Sequence, residues 1–170
     1  RLLTHLGGLW AFLAAEMGVV SADHLNYTTP PAARALASRG VIGVVMPALD
    51  WAVAHKRPFE ARMLMGEGVT LALATDLCPG CWAESMQFVM QLACRLYRFS
   101  PEEALFAATA AGARSLGLTD RGTIAAGQVA DLQIWRLPAF EDVIYRLGNN
   151  AVERMVKRGR VFNRDQRRFP

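Results

Sequence analysis

The sequence predicts an α/β protein: a parallel sheet of three strand–helix units, then a smaller β-rich segment. Three observations carry this. Strand-sized apolar runs at 17–23, 41–47 and 69–75 alternate with helical stretches, the pattern of βαβ units. After Gly117 the texture changes to turn-rich sequence with short strands. The 170 residues are 52% hydrophobic and 20% charged, enough to bury a core in about one domain.

Each element follows in order. The run 17–23 (MGVVSAD) reads as a buried strand ending in His24. A helix spans 31–39, with Pro31 at its start and Gly40 just past its end. Residues 41–47 form a β-branched second strand, and 59–67 a helix stopping at Gly68. The third strand, 69–75, runs straight into Asp76. A longer helix over 83–97 places Met86, Val89, Met90, Ala93, Leu96 and Tyr97 on one face. Ser100-Pro-Glu-Glu is a capping box, with Glu103 three residues after the N-cap serine; its helix is expected to run to about Leu116. Turns at 122–127 lead to a strand at 130–136 and a helix near 140–146. A hairpin of 151–157 and 160–162 then closes across a Lys-Arg-Gly turn. A closed eight-stranded α/β barrel takes about 200 to 250 residues. Three units do not close one, and open sheet edges invite pairing with a partner.

Composition excludes several function classes. Net charge is +4, and it gathers at the end of the chain. From Arg154 onward seven basic residues face one acid, Asp165, so this segment carries +6 and the rest −2. No aromatic ladder, zinc knuckle or helix-turn-helix accompanies it, so it reads as a solvated tail and not a nucleic-acid site. No apolar run reaches the roughly 18 to 20 residues of a membrane span, and no secretory signal opens the sequence. Three cysteines, an odd set, argue against a disulfide framework and for a reducing cytoplasm. Cys78-Pro-Gly-Cys81 is a single CxxC, compatible with a redox pair or half a zinc site. The chain opens on Arg1 and not Met, which leads us to expect an internal or processed piece of a longer protein.

In parallel α/β folds the working residues sit at the C-terminal ends of strands. His24 and Asp76 fall there. A carboxylate closing an apolar strand is costly to bury without a cation or donors; a metal ion, or a proton to be moved, accounts for it. The alternatives are a cap on the Pro-Gly loop for Asp76 and a histidine satisfied by Asp23 or backbone for His24. His5 and His55 read as structural or surface residues.

With their surroundings these residues resemble the amidohydrolase superfamily, and within it the imidazolonepropionase family. The resemblance runs through Leu6-Gly-Gly, Ser21-Ala-Asp-His-Leu-Asn-Tyr27, Ala72-Leu-Ala-Thr-Asp76 with Pro79-Gly80, and Leu92-Ala-Cys-Arg-Leu96. It continues in Ser100-Pro-Glu-Glu-Ala-Leu105, Gly122-Thr-Ile-Ala-Ala-Gly127, Ala130-Asp-Leu132 with Trp135, and Tyr145-Arg-Leu-Gly148. It implies that residues 1–120 are the C-terminal part of a metal-dependent (β/α)8 TIM barrel, with the three strands as its sixth to eighth. Residues 121–163 would be part of a small β-sandwich, and 164–170 a basic tail. It further implies hydrolysis of a cyclic amide, 4-imidazolone-5-propanoate to N-formimino-L-glutamate, with one divalent metal, zinc or iron. Asp76 inherits the role of metal ligand, and His24 that of an active-site residue beside the attacked carbonyl and the water. Gly80 contacts substrate through its backbone. Cys78 stands where the family commonly has a substrate-binding Asn. The implied partner is a small-molecule substrate, with no nucleic acid or membrane, and the full-length enzyme is expected to be a homodimer in the cytoplasm.

The His-x-His ligands of the family are missing: none of the three histidines forms that pair. These 170 residues alone are therefore expected to bind no metal tightly and to hydrolyse nothing. Three other readings remain open. They are another cyclic amidase or an aminohydrolase of the superfamily, a non-catalytic half-barrel that binds a partner, and a redox protein built on Cys78 and Cys81.

Overall fold

The computed structural model describes residues 7–57 and 59–163; His5, Leu6 and the tail 164–170 lie outside them. Helix α1 (Gly7–Met17) leads into strand β1 (Ser21–Asp23), helix α2 (Pro30–Ser38) and strand β2 (Ile42–Val45). Short helices α3 (Pro47–Ala52) and α4 (Ala61–Gly66) precede β3 (Leu71–Leu73). Three helices follow: α5 (Met86–Leu96), α6 (Pro101–Ala108) and α7 (Ala110–Ser115). The chain ends in β4 (Leu132–Trp135), α8 (Asp142–Tyr145), β5 (Val152–Lys157) and β6 (Arg160–Asn163).

Strands β1, β2 and β3 form a parallel sheet in that order, registering Asp23 with Val44 and Val45 with Leu73. The pleat sorts the middle strand. Val45, Leu71 and Leu73 join the large core beneath α2, α4, α5 and α6, whereas Ile42, Val44 and Ala72 pack with Met46 and Ala111 on the other face. Burial on both faces is why these strands read as unbroken apolar runs.

Four expectations need correction. Met17 belongs to a helix that Gly18, at φ 62°, terminates, so the first strand begins only at Ser21; glycine supplies the left-handed exit at no steric cost. Pro47 does not end a strand but opens α3, where its missing N–H costs nothing. The helix after Ser100 breaks in two at Thr109 (φ −122°, ψ −87°), whose hydroxyl bonds back to Leu105 O at 2.6 Å. On α5, Leu96 is exposed, and the buried face is Gln87, Val89, Met90, Gln91, Leu92 and Ala93.

Those glutamines join the two halves. Gln91 Nε2 donates to Val143 O at 2.6 Å and Arg146 O at 3.0 Å, while its Oε1 accepts from Gly148 N at 2.8 Å. Gln87 Oε1 accepts from Ala151 N at 2.9 Å. Beyond this junction β4, β5 and β6 form an antiparallel sheet with a bulge at Ile134–Trp135. Its hairpin turns at Arg158 and Gly159, both at positive φ, and Asp131 ties the turn down through Lys157 Nζ (2.6 Å) and Arg158 N (2.8 Å).

The capping box forms as expected, and Glu103 also pairs with Arg62. The hydrogen bond from Arg62, then that from Ser100 N, hold the Glu103 carboxyl below the usual carboxylate range. A depressed folded pKa stabilises above the unfolded value, near pH 4.3, and that stabilisation is lost as pH falls through the folded value. Glu103→Gln is thus expected to cost stability near neutrality but to flatten the acid limb below about pH 4, as urea titrations at several pH values would show.

Candidate active site

Two loops leave the C-terminal end of the parallel sheet, and adjacent carbonyls of the middle strand hold both. His24 N donates to Val44 O at 2.9 Å, and Ala74 N donates to Val45 O at 3.1 Å. His24 follows β1 directly; Asp76 lies beyond the last ladder residue of β3, Leu73. The structure therefore brings these two sequence-predicted residues to one end of one sheet.

Both loops store backbone strain. His24 (φ 68°), Leu25 (φ 61°) and Asp76 (φ 50°) adopt the left-handed region, which costs a non-glycine residue roughly 1–2 kcal/mol. Packing over-determines the first loop. A Cβ on Gly43 of β2 would stand 2.8 Å from Leu25 Cδ1 and 2.9 Å from Leu71 Cδ2, so the bare glycine is what lets Leu25 seat against the sheet. Gly43→Ala is expected to destabilise the fold by about 1–3 kcal/mol and to shift the His24 ring resonances in proton NMR. An unchanged His24 spectrum would contradict this packing argument.

His24 is exposed and Asp76 half-buried. Among the described residues neither side chain has a hydrogen-bond or ion-pair partner. Asp76 is therefore no cap for the Pro-Gly loop, and Asp23 does not satisfy His24. Beyond Asp76, Cys78 N donates to Cys81 O at 3.0 Å and Cys81 N to Cys78 O at 2.9 Å. Pro79 and Gly80 thus form the exposed tip of a tight turn. The CxxC opens no helix, unlike redox proteins of the thioredoxin type, since α5 begins only at Met86.

A polar cluster at the same end escaped the sequence reading. Asn26 Nδ2, in the His24 loop, donates to Asp50 Oδ2 at 2.9 Å, and the Tyr97 hydroxyl donates to the same oxygen. Burial, then the Asp50 carboxylate, pushes the Tyr97 phenol far above its usual range. The Tyr27 ring meets His55 edge-on at 5.8 Å and carries Arg57 at 5.2 Å. His55 donates its backbone N–H to Asp50 O, and its Nδ1 lies 2.9 Å from Arg57 O. The available signal was Asp50 itself, a lone acid in an otherwise apolar stretch.

A hydrolytic zinc ion takes about three protein ligands. Among the described residues no three His, Cys, Asp or Glu side chains stand close enough to hold a metal, so these residues alone do not fit one. Two open depressions lie elsewhere, one lined by Asp120, Arg121 and Arg158, the other by Met65, Phe99 and Phe106. No helix among the described residues is long and apolar enough to cross a membrane.

A model of the amidohydrolase family matches residues 13–162. Over 160 residues the chain is 38% identical to an imidazolonepropionase of Ruegeria sp. (strain TM1040), covering 94% of this chain and 39% of that protein. The imidazolonepropionase of Halobacterium salinarum is 42% identical over 164 residues, covering 93% and 39%. The chain thus spans about two fifths of the length of these relatives. Among solved structures, a zinc-bound adenosine deaminase from Xanthomonas campestris superposes with a TM-score of 0.75 at 28% identity, over 83% of this chain and 36% of that one. A triazine hydrolase variant superposes with a TM-score of 0.79 at 20% identity, over 88% and 37%.

Proposed function

The chain belongs to the amidohydrolase family, and from that premise we propose that it is the C-terminal part of an imidazolonepropionase-like hydrolase. One observation carries the reading: a chain 38% identical to such an enzyme sets His24 and Asp76, both without a side-chain partner among the described residues, at the C-terminal end of one parallel sheet. In this reading residues up to about 120 supply three strand–helix units of a (β/α)8 barrel. Residues 121–163 supply part of a β-sandwich, and 164–170 a basic tail.

The reaction proposed for the whole protein is hydrolysis of 4-imidazolone-5-propanoate to N-formimino-L-glutamate in histidine breakdown. Asp76 is one donor toward a divalent ion, zinc or iron, whose other ligands come from outside these residues. His24 orients the carbonyl to be attacked, and Gly80 and Cys78 border the substrate. A thiol is a poorer hydrogen-bond partner than a carboxamide, so Cys78 weakens the grip on substrate relative to an Asn there. The surface of the first unit supports the reading. Leu9, Trp10, Phe12, Leu13 and Met17 of α1 are exposed, and β1 is an edge strand among the described residues; neighbouring barrel units would cover such an apolar face and such an edge. Free thiols suit a reducing cytoplasm.

The test is complementation. The chain is mixed with the portion of the Ruegeria enzyme that it does not match, zinc is added, and turnover of imidazolonepropionate is followed. Hydrolysis by the mixture and by neither half is the expected result. In a zinc titration the chain alone is expected to show no dissociation constant below about 10 μM, since one or two donors fall short of a site. A one-equivalent site with turnover in the isolated chain would overturn the division of ligands.

A further inference from the structure

The Cys78–Cys81 turn holds chemistry that hydrolysis does not use. The two residues face each other across Pro79–Gly80 through reciprocal N–H···O bonds of 3.0 and 2.9 Å. Facing residues that exchange both bonds have Cα atoms about 5.5 Å apart and side chains on one face of the ribbon, within the roughly 4.4–6.8 Å that disulfides span. Cys78 folds back over the turn, its Sγ 4.0 Å from where a Cβ on Gly80 would stand. Both are free thiols; Cys78 is half-buried and Cys81 buried. The third thiol is engaged elsewhere: Cys94 Sγ lies 3.7 Å from Ser100 O, and burial pushes its pKa up.

We propose that Cys78 and Cys81 are a reversible dithiol–disulfide pair, oxidised by hydroperoxides and restored by small thiols. Cys78, the less buried residue of the two, attacks the peroxide: an S–O bond forms, the O–O bond breaks, and the leaving oxygen departs as water or alcohol with the thiol proton. Cys81 then attacks the sulfenic sulfur. The S–S bond forms, the S–O bond breaks, and the hydroxyl leaves as water with the second proton. Two electrons pass from the two sulfurs to the peroxide. Two small thiols reverse the change by exchange, becoming a disulfide themselves. Facing Cβ atoms about 4.5–5.5 Å apart must close to about 3.8 Å in the bridge; such a strained disulfide is readily reduced. The bridge would close a small ring directly after Asp76. The redox chemistry does not rest on the hydrolase reading, so failed complementation leaves it standing.

The test uses the folded chain with hydrogen peroxide and no denaturant, followed by alkylation and mass spectrometry. Cleavage after Glu67 and Glu84 releases peptide 68–84, which carries Cys78 and Cys81 without Cys94. This peptide is expected to lose about 2 Da on oxidation and regain it with dithiothreitol, in the parent chain and in Cys94→Ser alike. Cys81→Ser is expected to stop at a Cys78 sulfenic acid that dimedone traps. Three results would each overturn the pair: sulfinic acid at Cys78 with Cys81 still alkylated, a bridge to Cys94 or between chains, or bridging only after unfolding.

Discussion

Gln91→Ala is expected to lower the stability of the chain by about 3 kcal/mol, a large share of what a domain of this size holds. The side chain is fully buried and makes three hydrogen bonds to backbone between Val143 and Gly148. Truncation strands the buried Val143 carbonyl and unpairs the part-buried Arg146 carbonyl and Gly148 N–H; an unsatisfied buried group costs about 1–3 kcal/mol, less where water reaches it. Gln91→Leu separates polarity from volume: it fills the space and still strands the backbone. Urea unfolding of both variants decides the matter. If the leucine variant matches the parent chain, the hydrogen bonds contribute nothing and the loss in the alanine variant is a cavity effect. The expected result is that leucine recovers at most about half.

Asp76→Ala is expected to abolish turnover in the complemented enzyme, by at least about 10³-fold in kcat/KM, equivalent to about 4 kcal/mol of transition-state stabilisation. The same substitution should move the stability of the isolated chain by no more than about 0.5 kcal/mol, because the carboxylate has no protein partner among the described residues. The contrast identifies the role. A residue that holds the fold lowers both quantities together, whereas one reserved for chemistry lowers activity alone. A loss of more than about 1 kcal/mol in urea unfolding with modest loss of turnover would return Asp76 to a structural part. Asp76→Asn, which keeps the shape and removes the charge, is expected to behave like the alanine variant.

The parallel sheet and both candidate loops were legible because two periodicities agree there. Apolar runs of strand length alternate with helices that carry recognisable starts and stops, Pro31 and Gly40 for one, Ser100 and Glu103 for another. His24 and Asp76 stood out as polar residues ending such runs. What escaped depends on tertiary contacts. Gln87 and Gln91 look like surface residues until the segment 143–151 lies against them. Leu96 fits the apolar stripe but is exposed. Tyr97 reads as core, and is buried, yet its hydroxyl reaches across to Asp50 from a distant part of the sequence. Thr109 breaks its helix without a proline or glycine at the break. The amphipathic pattern records which face is buried, not which polar group waits opposite.

Val44 and Val45 hold the His24 and Ala74 amides through neighbouring carbonyls, and this has an evolutionary consequence. The two loops follow different strands but are pinned to neighbouring positions on the strand between them, so either can be lengthened, shortened or exchanged beyond its anchor without displacing the other. A family built this way can alter the walls around its substrate while inheriting the spacing of its chemistry intact. Drift in ligand preference and retention of mechanism then become separable events, each confined to different residues.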